Sequence, residues 1–283
     1  MEFSITAGNI ITYSWILSEQ EPSVANGGLS LIAVEFADYK TENPDVPTEV
    51  TSSNRLTFGN VPELVDLPQM TITAWVYMNT DPTSGAIHQQ DIVSGWVDDV
   101  GGFEFSIMDM AADRYYPYFI KVYSITGGNW YGDNGTNHGH WALLAVSVDD
   151  KSAVFQVQGT QVNTVEFIAP TGNIESWDGM DLCIGNIISS DPDTHLTKPF
   201  IGKITDVRVY NKALIEAEID AIYAAGIGGQ VVLDGLLFNA PYVRTSDLAH
   251  YTDLAMTETD TVIDGIGGYV GTPKDLPTAR LLS

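Results

Sequence analysis

Between Ile125 and His140 the chain carries Gly127-Gly128-Asn129-Trp130-Tyr131-Gly132-Asp133-Asn134-Gly135-Thr136-Asn137-His138, a mixture of aromatic, amide and carboxylate side chains. That mixture suits a sugar site, where rings stack on the apolar face of a pyranose and oriented polar groups hold its hydroxyls. Trp130, Tyr131, Asp133, Asn134 and His138 are therefore the candidate ligand-binding residues. Glycine and asparagine are also good turn formers, so the same stretch reads as a connecting loop in which Trp130 covers a sheet edge.

Other chemistry has less to stand on. His138 and His140 share one face at i, i+2, but no third histidine or cysteine lies nearby, and zinc wants three or four ligands. Calcium suits oxygen ligands, and Asp98 with Asp99, or Asp191 with Asp193, could supply carboxylates; the plainer reading of both pairs is an acidic turn. No cofactor is required. A glycosidase needs two carboxylates flanking the scissile bond. Glu104 alternates with Phe103 and Phe105 and so faces away from them, which reads as a solvated strand face. There is no G-x-S-x-G and no P-loop, and Gly265-Ile-Gly-Gly-Tyr269 has neither the strand nor the helix a dinucleotide site requires. Cys183 alternates within a strand and reads as a small buried hydrophobe.

The elements that must position these residues are strands. Short alternating runs separated by turn signals recur through the middle of the chain: Met70–Met78, Gly102–Met108, Tyr118–Tyr123, Ala142–Val148 and Ala153–Val157. This is the pattern of an antiparallel sandwich or barrel, and βαβ alternation is absent. One helix is expected over Ile215–Ala225, with Ile215, Ile219 and Ile222 as its apolar stripe and Gly226 as its cap. Three zones follow: 1–54, with β-like runs at Asn9–Leu17 and Leu29–Ala37 and a polar linker; 55–226, the sandwich; and 227–283, an extended C-terminal arm.

Composition agrees with that class and excludes others. Twelve Lys and Arg stand against 37 Asp and Glu in 283 residues, a formal charge of −25, so phosphate backbones are repelled and nucleic-acid binding is not expected. A single cysteine forbids an internal disulfide. No run approaches about 20 apolar residues, so no membrane insertion is expected. The first residues, Met-Glu-Phe-Ser-Ile-Thr-Ala-Gly, lack the basic and apolar regions of a signal peptide, which points to a protein made in a cytosol.

The middle zone resembles the laminin-G-like branch of the concanavalin A-like lectin/glucanase jelly rolls. Pro199-Phe-Ile-Gly-Lys-Ile-Thr-Asp-Val-Arg-Val-Tyr-Asn-Lys-Ala-Leu214 and the helix after it are similar to that family's final module. Four further landmarks come in the family's order: Leu56–Asn60, Thr71–Val76, Gly139–Val146, and Phe155–Val162 with Leu182–Gly185. The resemblance implies an all-β antiparallel jelly roll with one short amphipathic helix. Two departures stand out. The family's paired histidines are Ala142 and Leu143 here, and its helix-capping serine is Ile215. The E-x-D-x-x-E strand of the glucanases is also missing, since Glu218-Ile-Asp220 falls on the predicted helix with Tyr223 in the third acid's place.

The resemblance implies a non-enzymatic adhesion module. Laminin-G-like modules recur in bacteriophage virion proteins, so the first reading is a decoration protein on the virion surface. Its terminal arms would anchor it to neighbouring capsid or tail subunits or to copies of itself, and the sandwich would be displayed to a host glycan. Lys40, Arg244, Lys274 and Arg280 are the arm cations expected to touch partners. A bacterial carbohydrate-binding lectin, kept in the cytoplasm or exported without a signal peptide, is the alternative, and a glycoside hydrolase is the third reading.

Overall fold

Alternating β-branched and aromatic residues form strands where one face can be buried, and one of the longest such runs, Met70–Met78, is β3, which is paired on both sides. The computed structural model describes residues 29–36, 55–78, 89–97, 101–108, 118–122, 128–133, 139–149, 152–158, 160–161, 163–168, 181–187, 198–244, 254–256, 260–274 and 278–281. Every strand pairing among them is antiparallel.

In the first sheet β3 lies between β13 (Gly202–Tyr210) and β8 (Trp141–Val148), and the sheet continues outward through β9 (Ala153–Val157) to β10 (Thr160–Gln161). The far side of β13 pairs in two halves, with β1 (Leu29–Phe36) and with β14 (Leu236–Ala240). Beyond β1 come β19 (Thr278–Leu281) and β16 (Leu254–Ala255). The second sheet runs β11 (Asn163–Ile168), β7 (Gly128–Asp133), β6 (Tyr118–Val122), β5 (Gly101–Met108), β4 (Gln89–Val97), β12 (Asp181–Ile184), β2 (Arg55–Asn60) and β18 (Val270–Lys274). A short ribbon of β15 (Tyr242–Arg244) and β17 (Val262–Ile263) links β1 to β18 and so bridges the two sheets.

The core fills the space between the sheets. Met70, Ile72, Ala74, Val76 and Met78 of β3 and Leu144, Val146 and Val148 of β8 face Phe103, Phe105 and Ile107 of β5 and Leu56 and Phe58 of β2 in one buried cluster. The i, i+2 spacing of these residues is what a half-buried strand requires. A second cluster lies on the other face of the first sheet, where α1 (Glu216–Ala225) lays Ile219 and Ile222 over Trp75, Leu143, Ala145 and Tyr210. Ile215 differs from the expected stripe: it occupies the helix N-cap, 64% exposed. Its side chain cannot accept a hydrogen bond, and the backbone N–H of Ile215 instead donates to Glu218 Oε2 at 3.0 Å. Half a capping box thus survives the missing serine.

The terminal zones differ from the extended arms expected of them. Ile32, Val34 and Phe36 of β1 are core residues, as are Phe238, Val243 and Val262 after the helix. Burying these side chains needs the shelter of both sheets, so the described segments fold into the sandwich. Arg244, Lys274 and Arg280 accordingly stand within β15, β18 and β19. Lys40 and the run Asn9–Leu17 lie outside the described residues. No described helix is long and apolar enough to cross a membrane.

Candidate functional site

The face of the second sheet turned away from the core carries a buried acid pair. Along β5, Phe103, Phe105 and Ile107 belong to the core, so Glu104 and Ser106 take the opposite face. β4 is bulged: Asp91 is opposite Ser106 and Val93 is opposite Phe105, which leaves Ile92 as the extra residue. The bulge brings both Asp91 and Ser94 onto the face of Glu104.

Asp91 and Glu104 are each 0% exposed, which corrects the expectation that Glu104 is solvated. Lys198 Nζ donates to Glu104 Oε1 at 2.5 Å. Ser106 Oγ lies 2.8 Å from Asp91 Oδ1 and 3.2 Å from Glu104 Oε1, and with one hydroxyl hydrogen it serves one of them at a time. Gln89 Nε2 donates to Glu104 Oε1 and reaches Ser106 Oγ at 2.9 Å and Asp91 Oδ1 at 3.4 Å. Asp91 Oδ2 and Glu104 Oε2 have no hydrogen-bond partner among the described residues. Burial, and then the charge of Glu104, pushes the Asp91 carboxyl well above the ordinary aspartate range, while Lys198 pulls the other way.

Lys198 is held in place by the backbone. Asp91 N–H donates to Lys198 O at 2.8 Å, Lys198 N–H donates to Asn186 Oδ1 at 2.8 Å, and Ile201 N–H donates to Gln90 Oε1 at 2.9 Å. Beside this network Cys183 is opposite Ser94, its thiol 3.7 Å from Thr57 Oγ1. Burial pushes that thiol up to about 12, so Cys183 is the inert hydrophobe expected.

The candidate sugar residues are arranged differently from the loop expected. Gly128–Asp133 is β7, paired on both sides, with β6 and β11; glycine and asparagine there sit in a strand because both neighbours supply ladder partners. Trp130 stands in one row with Ile120 and Phe105, and Tyr131 in one row with Phe119 and Ser106. The two aromatics therefore belong to opposite faces of the sheet, and Tyr131 shares the face of the acid pair. Asn129 is in line with Lys121 and Glu104 on that same face. Asp133 ends β7 opposite Asn163. Asn134 and His138, and all four candidate calcium ligands Asp98, Asp99, Asp191 and Asp193, lie outside the described residues. Among the described residues no three His, Cys, Asp or Glu side chains gather to hold a metal.

The sequence reading missed Asp91, Lys198 and Gln89. Nothing in their spacing joins them to Glu104, since the bulge at Ile92 reverses the alternation a reader would count.

Comparison with solved structures gives the fold independent support. A candidate carbohydrate binding protein from Bacteroides ovatus superposes with a TM-score of 0.54 at 16% identity over 90% of this chain, which spans 60% of that protein's length. A heptameric SAP-like pentraxin from Limulus polyphemus superposes with a TM-score of 0.52 at 14% identity, over 76% of this chain and 91% of the pentraxin. At these identities the likeness is one of fold. No curated protein matches the chain in sequence. Residues 50–220, more than half of the chain, match the family model of the concanavalin A-like lectin/glucanases superfamily, laminin-G type, and with the two-sheet architecture described above the chain belongs to that family.

Proposed function

We propose that the chain is a non-enzymatic carbohydrate-binding module that uses the face of the second sheet turned away from the core. The observation that carries this reading is the register of β5, β6 and β7. It lines up Phe119 with Tyr131 in one row and Lys121 with Asn129 in the next, beside the buried Ser106 and Glu104, so that aromatic and polar positions of β6 and β7 alternate on one face. Rings for the apolar side of a sugar and polar groups for its hydroxyls are what such a surface needs. A non-enzymatic role is favoured because Asp91 and Glu104 are fully buried, so neither carboxyl can touch a glycosidic bond as the protein stands.

The test is a glycan array followed by calorimetric titration of the best hit against Tyr131→Ala, Phe119→Ala and Trp130→Ala. Tyr131→Ala or Phe119→Ala should weaken binding tenfold or more with little change in unfolding, whereas Trp130→Ala should act on stability. A blank array with the wild-type chain sinks the reading.

The narrower reading, a virion decoration protein displaying this module, rests on the recurrence of laminin-G-like domains in phage particles. It loses the support drawn from extended arms, because the described strands of both terminal zones belong to the sandwich. Cross-linking of the chain within a purified particle, with neighbours identified by mass spectrometry, tests it. Recovery of free chain only removes it.

A further inference from the structure

We propose that Asp91, Glu104 and Lys198 form a proton-operated clasp, in which one proton shared by two buried carboxyls keeps residues 198–201 seated on β4 and its loss releases them. The inference stands apart from the glycan reading, since it concerns how the outer face of the second sheet is held closed.

Charge counting on the described geometry leads to it. Two carboxyl groups, both wholly buried, converge on the same Ser106 hydroxyl and the same Gln89 amide, and lie within hydrogen-bonding reach of each other. One ammonium, Lys198, is paired with Glu104. Among the described side chains two buried anions thus stand against one cation, and a buried site avoids the uncompensated charge by keeping a proton. With the proton present, Asp91 donates to Glu104, Glu104 pairs with Lys198, and the group is neutral. Among the described side chains the other groups on this face are Ser94 of β4 and the neutral Cys183 of β12, and in the register Lys121 of β6 is the position opposite Glu104.

The same residues fasten the segment that carries Lys198. Asp91 N–H bonds Lys198 O, Phe200 N–H bonds Gly185 O at 2.9 Å, and Gly185 N–H bonds Ile92 O at 3.0 Å. Side-chain charge and backbone ladder thus act on one stretch of chain. When the proton leaves to solvent, the excess negative charge is hydrated by lifting residues 198–201 off β4, at the cost of drawing Phe200 out of the core.

The sign of the pH dependence follows. An acid whose folded-state affinity for protons exceeds its unfolded one costs stability as pH rises. The loss begins near the ordinary aspartate value of about 4 and is complete above the raised value in the fold. Across that window a one-proton difference multiplies the unfolding constant about tenfold per pH unit.

Urea unfolding of the full chain from pH 4 to 9, with amide hydrogen exchange read at Asp91, Phe200 and Ile201, tests the clasp. Wild type should lose stability relative to Asp91→Asn by up to tenfold per pH unit, and its three amides should lose protection in the same window while those of Asp91→Asn keep theirs. Glu104→Gln should flatten the dependence likewise. Lys121→Met should leave it unchanged; if that variant alone abolishes it, the counter-ion is Lys121 and the clasp is overturned. Identical pH profiles for wild type and Asp91→Asn also overturn it. If the variants do not fold, carboxyl carbon NMR of the wild-type chain decides. An Asp91 carboxyl that titrates well above the ordinary aspartate range supports the clasp, and an Asp91 carboxylate fully ionised at pH 5 refutes it.

Discussion

Arg208 grips Asp206 with both arms of its guanidinium, Nε to Oδ1 and Nη2 to Oδ2 at 2.8 Å each, and both side chains are buried on the outer face of the first sheet. Asp206 stands in a β13 bulge with φ +48°, and its Oδ2 also accepts the N–H of Gly228 at 2.7 Å. Arg208 Nη2 further donates to Gly229 O at 2.7 Å. The pair ties the turn after α1 to the sheet. Burial alone would lower the Arg208 pKa, and the carboxylate more than reverses this. Removing one partner leaves a buried charge alone, so Asp206→Ala or Arg208→Met should each cost about 3–5 kcal/mol in urea unfolding, and the double variant less than the sum.

Gly202 opens β13 at φ +143°, and a Cβ there would stand 2.0 Å from the Tyr77 carbonyl oxygen of β3. The obstacle is backbone, so no rotamer change relieves it. Gly202→Ala should destabilise by about 1–3 kcal/mol or more through backbone strain, measured as a lowered midpoint of unfolding with unchanged secondary structure.

Phe36 lies before the stretch that matches the family model, yet it is 1% exposed and packs beside Gly185, where a Cβ would come 2.4 Å from its ring. Phe36→Ala should cost about 3–5 kcal/mol, as large-to-small changes in cores do. Deletion of residues 1–54 should give an aggregating or molten product by near-UV circular dichroism. A cooperative, equally stable fragment 55–283 would show that β1 is dispensable.

Cys183 is buried, with its thiol pushed up to about 12, so a thiol reagent at pH 8 should label less than a tenth of native chains in the time that labels the urea-unfolded chain fully. Fast native labelling would mean that the outer face of the second sheet opens readily at β12.

The sandwich was legible because Met70–Met78 alternates in residue type and Trp141–Val148 and Ala153–Val157 are short apolar runs between turn signals; β8 reads as a nearly continuous apolar run because the core covers one of its faces and α1 the other. β18 was not legible, because Pro273 and Gly271 look like a loop. Proline is tolerated there because β17 pairs only with Val270 and Gly271, so the missing N–H of Pro273 interrupts no ladder on that side. The sugar candidates were legible as residue types but not as an arrangement: glycine and asparagine signalled a turn, and only the pairing of β7 shows that Trp130 and Tyr131 part company. The acid pair was half visible. Glu104 could be placed on its face by counting from Phe103 and Phe105, whereas Asp91 is reached through a bulge and Lys198 through a contact between segments far apart in sequence.

β1 and β19 pair directly, Ile32 with Leu281 and Glu35 with Thr278, although roughly 250 residues separate them. During synthesis at the ribosome β1 emerges well over 200 residues ahead of β19, and one of its edges stays uncovered until that strand follows. Until then Ile32 and Val34 sit on a strand with open hydrogen-bonding groups, the kind of edge that other chains can add to. The sandwich therefore closes like a ring whose last link is made at its two ends, and its yield in a cell depends on what shields that first strand in the interval.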